Sequence, residues 1–251
     1  MPFDLVIPAR WESVRLPGKI LADLYGKPMI QRVYERAAQS DADVIVVATD
    51  SDEIRQVVES FGGEAIMTGS DHESGTDRIA EVFSGKRWKQ DRVVVSVQGD
   101  EPFIEPNTIN RVANALLQLA NDVNVSTAAT HIASVTEYQD PNVVKVVLDN
   151  AGYALYFSRA SIPVVRDAKP SEAFGLAMRH IGIYGYRVSF LREWRKLSAS
   201  ALESAEALEQ LRILSEGYKI KVCCVEEGNS IGVDTPEDLA AARQLLASSS
   251  Q

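Results

Sequence analysis

Cysteine and histidine are both scarce in this chain of 251 residues. Its two cysteines, Cys223 and Cys224, are adjacent in the apolar segment IKVCCV, which provides neither a disulfide framework nor the spacing of metal ligands. We therefore predict that they are packed strand residues. The histidines at positions 72, 131 and 180 lack the His-x-x-x-His spacing of a zinc-binding helix. These patterns exclude a disulfide-stapled fold and a zinc site of that kind.

Long apolar runs and an excess of basic residues are also missing. No run approaches the ~20 apolar residues that cross a bilayer, and the start of the chain, MPFDLVIPAR, lacks the pattern of a signal peptide. The formal net charge of −9 disfavours broad binding to nucleic acid or to an anionic membrane. We predict a cytoplasmic protein with neither of these partners. A small anionic ligand in a local basic pocket is still compatible with this charge.

The glycine-rich phosphate-binding motifs are missing as well. Neither Gly18-Lys19 nor Gly26-Lys27 has Walker spacing, and no G-x-G-x-x-G follows the first strand. Side chains would therefore have to hold any phosphate. The loop at 9–19 carries Arg10, Arg15 and Lys19 against one acid, Glu12, and we predict that it cradles phosphates or a carboxylate. A solvated loop that serves solubility is the alternative.

Short apolar runs at 3–8, 44–48, 65–67 and 93–97 are typical of buried strands, and helical patterns separate them. Three strand–helix units followed by a fourth strand predict an α/β fold with a doubly wound, mostly parallel sheet. With 45% hydrophobic residues, the chain can bury a core as one large domain or two lobes.

The pattern changes after residue 140. Segments 143–148 and 153–157 are joined by Asp-Asn-Ala-Gly, a hairpin signal, and 180–186 is a further strand. We predict a core at 1–140 and 187–251 and a smaller antiparallel insertion at 141–186, which serves as a substrate lid or a homodimer contact. The spacings also predict a helix capped by Asn107 or Thr108 that runs to Leu119, and one at 202–214 with Ala205 on its inner face.

Two aspartates, Asp100 and Asp234, are candidate metal ligands. Asp100 comes directly after the run in VVVSVQGDEP, where an open α/β sheet binds its ligands, and a carboxylate there can hold a cation such as Mg²⁺. In GVDTPEDL, Thr235 can cap a helix with Pro236 at its first position and Asp238 completing a capping box, which leaves Asp234 available as a second metal ligand. The alternative for both aspartates is a turn or cap residue.

Several motifs together resemble a known family. PARWESVRLPGK, DHESGTDR, VQGDEP and GVDTPEDL occur in the order and spacing of bacterial 3-deoxy-manno-octulosonate (KDO) cytidylyltransferases, also called CMP-KDO synthetases. YALYFSR, RHIGIYGYR and LEQLR extend the resemblance to nearly the whole chain, 5–245. The resemblance implies a Rossmann-like nucleotidyltransferase fold. It also implies a Mg²⁺-dependent reaction in lipopolysaccharide biosynthesis, in which CTP and a KDO-type sugar acid give the CMP-sugar and pyrophosphate.

The resemblance also assigns roles to individual residues. The residues implied to be catalytic are Arg10, Arg15, Lys19, Asp100 and Asp234, of which Asp100 and Asp234 would bind Mg²⁺. Those implied to bind the nucleotide are Ala9, Arg10, Lys19, Ser74, Arg78 and Gln98. Those implied to bind the sugar acid are Arg159, His180, Tyr184, Glu209 and Gln210. Without the resemblance, we would interpret Tyr184 as a core residue, His180 as a local hydrogen-bonding residue and Glu209 as solvent-facing.

The sequence departs from the family at 201–206, where ALESAE replaces a Pro-Leu-Glu-[His/Gln]-Ile-Glu run, and in the unusual composition of loop 161–174. Since we expect both regions to face the sugar, we hypothesise an altered sugar, such as 8-amino-KDO, with the nucleotide chemistry retained. One alternative is a CMP-sialic-acid synthetase or another sugar nucleotidyltransferase, which RHIGIYGYR and LEQLR disfavour. A non-catalytic nucleotide-sugar sensor is the other, and it has no need of both aspartates.

Overall fold

A computed structural model describes most of the chain, namely residues 2–12, 16–72, 74–85, 87–119, 122–166, 173–226 and 232–248. Arg15 and part of the predicted loop 161–174 therefore lie outside the described residues. Among the described residues, no helix combines the length and apolarity that crossing a bilayer requires.

The first half of the chain alternates strands and helices as predicted. Its strands are β1 (Asp4–Ala9), β2 (Val44–Thr49), β3 (Glu64–Met67) and β4 (Val93–Ser96). Its helices are α1 (Met29–Ala37), α2 (Asp52–Ser60) and α3 (Gly75–Ser84), with a short 3₁₀ helix at Lys19–Leu21. β1 pairs in parallel with β2 and β4, and β2 pairs in parallel with β3, so the carboxyl ends of these strands meet at one edge.

The second half adds further strands to the same sheet. Its strands are β5 (Val125–His131), β6 (Lys145–Leu148), β7 (Ala154–Ser158), β8 (Met178–Arg187) and β9 (Ile220–Cys224). Its helices are α4 (Pro106–Leu117), α5 (Val135–Gln139), α6 (Val188–Trp194), α7 (Ala201–Glu206), α8 (Gln210–Ser215) and α9 (Pro236–Ser248), with a 3₁₀ helix at Phe174–Leu176. The strand order is β3-β2-β1-β4-β8-β5-β9 among the described residues, with β8 antiparallel to both neighbours. The predicted mostly parallel α/β fold is confirmed.

Apolar side chains of the strands cover both faces of the sheet. Leu5 and Ile7 of β1 pack in one hydrophobic cluster with residues of α1, α2 and α4, while Val6 packs in a second cluster with residues of α3 and α6. All three side chains are fully buried. Because successive residues of a strand point to opposite faces, a continuous apolar run is what a strand buried on both sides requires.

The predicted helix boundaries fail at two places. α4 begins with Pro106, not after Asn107 or Thr108, because a proline at the first position gives up no intrahelical hydrogen bond. The helix predicted at 202–214 is two helices, α7 and α8, separated at Ala207, whose φ of 49° is left-handed.

The predicted insertion at 141–186 is only partly a separate unit. β6 and β7 form the predicted antiparallel hairpin, and they lie off the main strand order. β8, however, lies in the sheet between β4 and β5, so the predicted boundary is wrong for this strand. Cys223 and Cys224 are in β9 as predicted, but Cys224 is exposed.

Candidate active site

A cavity of about 360 Å³ opens at the carboxyl ends of β1 and β4. Eight predicted site residues line it: Arg10, Lys19, Ser74, Arg78, Gln98, Asp100, Glu209 and Asp234. Five residues that we did not predict complete the lining: Pro8, Ile20, His72, Gly75 and Gly99. Parallel strands bring the loops that follow them to one edge of a sheet, which explains how distant segments converge here.

Lys19 joins the two predicted metal-binding aspartates. Its Nζ donates a hydrogen bond to Asp234 Oδ1 at 2.9 Å and another to Asp100 Oδ2. Burial acts to lower the pKa of Lys19, but the two carboxylates outweigh it and hold this pKa above its usual value. Lys19 is therefore a charged ammonium held between two acids at the cavity wall.

The backbone around these aspartates is tightly packed. Val233 N donates to the carbonyl oxygen of Asp100 at 2.8 Å, which holds the two acidic segments together. A Cβ atom at Gly99 would lie 3.0 Å from both Pro8 O and Ile20 Cδ1, so only glycine fits this position without a shift. The close approach of the β1 and β4 loops explains why the residue before Asp100 is glycine.

The start of α9 has the predicted capping box. Asp238 N donates to Thr235 Oγ1 at 3.1 Å, and Thr235 N donates to Asp238 Oδ2 at 2.9 Å. Asp234, one residue earlier, accepts from Lys19. The predicted capping role of Thr235 is confirmed, and the role of Asp234 as a metal ligand stays a prediction.

The N-terminus of α3 forms the side of the cavity near Ser74. Asp77 N donates to Ser74 Oγ at 3.1 Å, and Ser74 N donates to Asp77 Oδ2 at 3.1 Å. Asp77 Oδ1 also accepts from Trp194 Nε1 at 2.7 Å, which ties this helix end to α6. A fixed helix N-terminus carries partial positive charge, which favours an anion beside it.

Arg78 lies deeper in the wall, and its guanidinium donates to a carboxylate, a threonine hydroxyl and a backbone carbonyl. It is 3% exposed, pairs with Asp50 Oδ2 at 2.6 Å, and donates to Gly69 O at 3.2 Å. Asp50 also accepts from the backbone of Trp11 at 3.1 Å, so it anchors the basic loop after β1. A second cavity of about 480 Å³ continues past Arg10, His72 and Arg78.

His72 is a cavity residue that the sequence analysis missed. Its Nε2 is hydrogen-bonded with Glu81 Oε2, and Glu81 also accepts from Gly69 N at 3.0 Å. Burial acts to raise the pKa of Glu81, but these hydrogen bonds outweigh it and lower this pKa. The histidine belongs to the DHESGTDR motif, and we had considered it only as a zinc ligand. Its place in that motif was the signal that could have found it.

The predicted sugar-binding residues Glu209 and Tyr184 lie near Thr76. Glu209 accepts from Thr76 Oγ1, and burial raises the pKa of this carboxyl against the hydrogen bonds that it accepts. The Tyr184 ring stacks on Tyr186 with centroids 5.8 Å apart, and Tyr186 Oη is 3.4 Å from Thr76 Oγ1. Tyr184 Oη is buried and has no hydrogen-bond partner among the described residues.

His180 continues this row of rings. Its ring centroid is 5.4 Å from that of Tyr184, and its Nε2 lies 2.9 Å from Thr127 Oγ1. Burial lowers the pKa of His180 to about 3, so the imidazole is neutral at physiological pH. The ring is therefore a neutral hydrogen-bonding group.

Tyr184 and His180 lie behind Glu209 and are not among the residues that line the cavity, and the same holds for the other predicted residues that the structure describes. The Arg159 guanidinium donates to backbone carbonyls, with Nε 2.8 Å from Glu206 O and Nη1 3.1 Å from Pro141 O. Gln210 is buried at the first position of α8, and Ala9 is the fully buried last residue of β1. The role predicted for Arg15 falls outside the described residues.

The two carboxylates near Lys19 suit a hard divalent cation that is bound partly by the protein and partly by a substrate. Within the described ranges, no group of three or more His, Cys, Asp or Glu side chains converges to hold a metal alone. Asp100 and Asp234 supply two carboxylates, and Mg²⁺ is commonly bound by one or two carboxylates together with substrate phosphates and water. The residues present therefore fit this group.

Comparison with known proteins gives a consistent result. Residues 5–220 match the family model described as cytidylyltransferase. A 3-deoxy-manno-octulosonate cytidylyltransferase of Vibrio parahaemolyticus is 50% identical over 98% of this chain and 99% of its own. A 3-deoxy-manno-octulosonate cytidylyltransferase of Francisella tularensis subsp. novicida is 49% identical over 96% of this chain and 97% of its own. A solved structure of CMP:2-keto-3-deoxy-manno-octonic acid synthetase complexed with CTP superposes with a TM-score of 0.91 at 42% identity, covering 99% of this chain and 100% of the other.

Proposed function

Since the chain belongs to the 3-deoxy-manno-octulosonate cytidylyltransferase family and is a nucleotidyltransferase, we propose that it couples a KDO-type sugar acid to CMP. CTP supplies the CMP group, and pyrophosphate is the second product. The observation that carries this proposal is the meeting of Asp100 and Asp234 at Lys19, on the wall of a cavity that also has Arg10.

The nucleotide lies in the cavity between the β1 loop and the N-terminus of α3. Arg10, which is exposed, and Lys19 hold the triphosphate by charge, and Ser74 and Gln98 contact the nucleoside. Arg78 holds the wall of this pocket through Asp50. The protein as a whole is acidic, and the preference of the cavity for an anion comes from this local group of cations.

Reactions of this class use a divalent cation, and we assign it to Mg²⁺ at Asp100 and Asp234. When bound, the cation neutralises phosphate charge and polarises the attacking hydroxyl. With the cation held by Asp100 and Asp234, the Lys19 ammonium, which pairs with both carboxylates here, would pair with a phosphate of CTP instead. The protein holds both reactants so that attack on the α-phosphate is in line with the departing pyrophosphate.

The sugar acid lies on the side of Glu209, Tyr184 and His180. Its anomeric hydroxyl forms the new bond to the α-phosphorus, the bond to the β-phosphate oxygen breaks, and the hydroxyl proton leaves to solvent. The buried Tyr184 hydroxyl and the neutral His180 offer hydrogen bonds to sugar hydroxyls. Glu209 accepts from Thr76 and supplies a further oxygen on this wall.

The identity of the sugar stays a prediction between KDO and an amino analogue such as 8-amino-KDO. The residues in 201–206 that depart from the family are Ala201, Ser204 and Ala205, and all three are exposed. Exposure by itself does not decide whether these residues face the sugar, so that expectation stays a prediction. The altered-sugar hypothesis depends on this segment and on loop 161–174. We also propose a homodimer and a cytoplasmic location, which sedimentation and cell fractionation test.

A pyrophosphate-release assay tests the function. It crosses CTP, UTP and ATP with KDO, 8-amino-KDO, N-acetylneuraminic acid and no sugar acid. We expect release with CTP and a KDO-type acid and none without an acceptor. Release with N-acetylneuraminic acid alone favours the sialic-acid alternative, and CTP binding without any release favours the sensor; both outcomes contradict the proposal. Equal kcat/KM for KDO and 8-amino-KDO removes the altered-sugar hypothesis.

A further inference from the structure

The carboxylate of Glu206 connects α7 to the end of the β6–β7 hairpin. Ser158 Oγ donates to Glu206 Oε1 at 2.6 Å, and Arg159 N donates to Glu206 Oε2 at 2.9 Å. Both oxygens of Glu206 therefore face the hairpin, although Glu206 is on a short surface helix. The hydrogen bond from Ser158 is the main reason why the pKa of Glu206 is lowered.

The guanidinium of Arg159 in turn contacts the end of α7. Its Nε donates to Glu206 O at 2.8 Å, and its Nη2 donates to Ala207 O at 3.4 Å. These are carbonyls at the C-terminus of a helix, which lack intrahelical partners and favour a cation. They flank Ala207, whose φ of 49° turns the chain toward α8. Arg159 thus supports a left-handed turn made without glycine.

A buried lysine fixes the hairpin side of the same contact. Lys145 is fully buried, and its Nζ donates to Asp140 O at 2.8 Å, Val143 O at 2.5 Å and Arg159 O at 2.7 Å. Burying a cation is costly unless its donors are satisfied, and all three donors have partners here. We call Lys145, Ser158, Arg159 and Glu206 the hairpin clasp.

Glu206 in the clasp and Glu209 in the cavity wall are only three positions apart in the sequence. After Ala207, Leu208 is 6% exposed and packs in the hydrophobic core, and Glu209 reaches Thr76 and the cavity. The N-terminus of α3 on the opposite side is fixed separately by Asp77 and Trp194. Glu209 is therefore held from two sides, by Thr76 of α3 and by the turn after α7, which the clasp and the Glu203–Arg212 ion pair support.

We infer that Glu206 is a positioning residue for the sugar half of the site, with Ser158 and the backbone N of Arg159 as the partners of its carboxylate. The clasp sets the turn at Ala207, and the turn places Glu209. This inference rests on the proposed function, since it assigns the sugar acid to the side of Glu209. A loss of the clasp should weaken the use of the sugar acid and spare the binding of CTP.

The test measures KM for KDO and for CTP separately, CTP binding by calorimetry, and the melting temperature. Glu206→Ala should raise KM for the sugar acid about tenfold, with KM and Kd for CTP within about twofold of wild type. Glu206→Gln keeps one acceptor oxygen and should give a smaller rise. Glu216→Gln, an exposed change just after α8, is the matched control and should match wild type.

A double-mutant cycle tests whether the Glu206 carboxylate acts through the clasp. Since Ser158 Oγ donates directly to this carboxylate, the double variant Glu206→Ala/Ser158→Ala should be about as impaired as the worse single variant. Multiplying effects of the two substitutions would show that Glu206 acts independently of the hairpin and would overturn the inference. An unchanged sugar KM in Glu206→Ala, or equal rises for both substrates with a lowered melting temperature, also overturns it. If wild type uses no KDO-type acid, the proposed function fails as well.

Discussion

The Lys19 ammonium lies 2.9 Å from the carboxylate of Asp234, a residue 215 positions later in the chain. The same nitrogen donates to Asp100, 81 positions from Lys19. Like charges placed this close repel each other, so the ammonium stabilises the pair of carboxylates. This contact defines the centre of the candidate site.

Removing the charge of Lys19 should impair catalysis strongly. Lys19→Met keeps a side chain of similar length and removes the ammonium. We expect kcat to fall about 100-fold, because the phosphates lose a positioned charge. Steady-state pyrophosphate release measures this. Lys27→Met is the control, because Lys27 also follows a glycine but pairs with Glu35 on the surface. Equal effects of the two changes would contradict the role given to Lys19.

Gly99→Ala should cost stability and activity together. Its new Cβ would lie 3.0 Å from a backbone oxygen of Pro8, which cannot rotate away, so we expect a loss of about 1–3 kcal/mol in the free energy of unfolding. Displacement of the neighbouring Asp100 should lower kcat as well. Urea unfolding measures the first effect. Gly175→Ala, which meets no atom within 4 Å, is the control, and a similar loss there would contradict the packing argument.

Glu209 should make stability depend on pH in a definite direction. Its pKa is raised by burial in the folded state, so the folded protein binds this proton more tightly than the unfolded chain does. The resulting stability is fully present below the unfolded pKa of about 4.3 and is lost as pH rises through the raised folded pKa. Glu209→Gln removes this dependence and keeps an acceptor for Thr76. Urea unfolding of both proteins from pH 4 upward should show their difference growing and then levelling, and a constant difference would contradict this.

Much of the sheet could be predicted because its signals are local. Runs such as 93–97 are apolar on both faces, and the rule that ligands bind at the carboxyl ends of strands was enough to place Asp100 near other loop residues. The capping role of Thr235 left Asp234 without a capping role, and the family resemblance then placed Asp234 with Asp100. In each case, a few adjacent residues carried the information.

The rest depended on contacts that no local pattern records. The left-handed turn at Ala207 is made by an alanine, which carries no turn signal, so 202–214 was predicted as one helix. The strand at β8 was predicted, but its place between β4 and β5 depends on distant partners. The contacts of the Arg159 guanidinium with backbone carbonyls of Glu206 and Ala207 have no local signal either, and the sugar-binding role that the resemblance gives Arg159 stays a prediction.

The most direct test of the account is single-turnover pyrophosphate release by Asp100→Asn, Asp234→Asn and the double variant, with CTP and KDO. If the two carboxylates act as one unit, each single change should slow release at least about 100-fold, and the double change should be no worse than about the slower single variant. Calorimetry should show that all three still bind CTP. Release by either single variant within about tenfold of wild type would contradict the claim that these two aspartates form the catalytic centre.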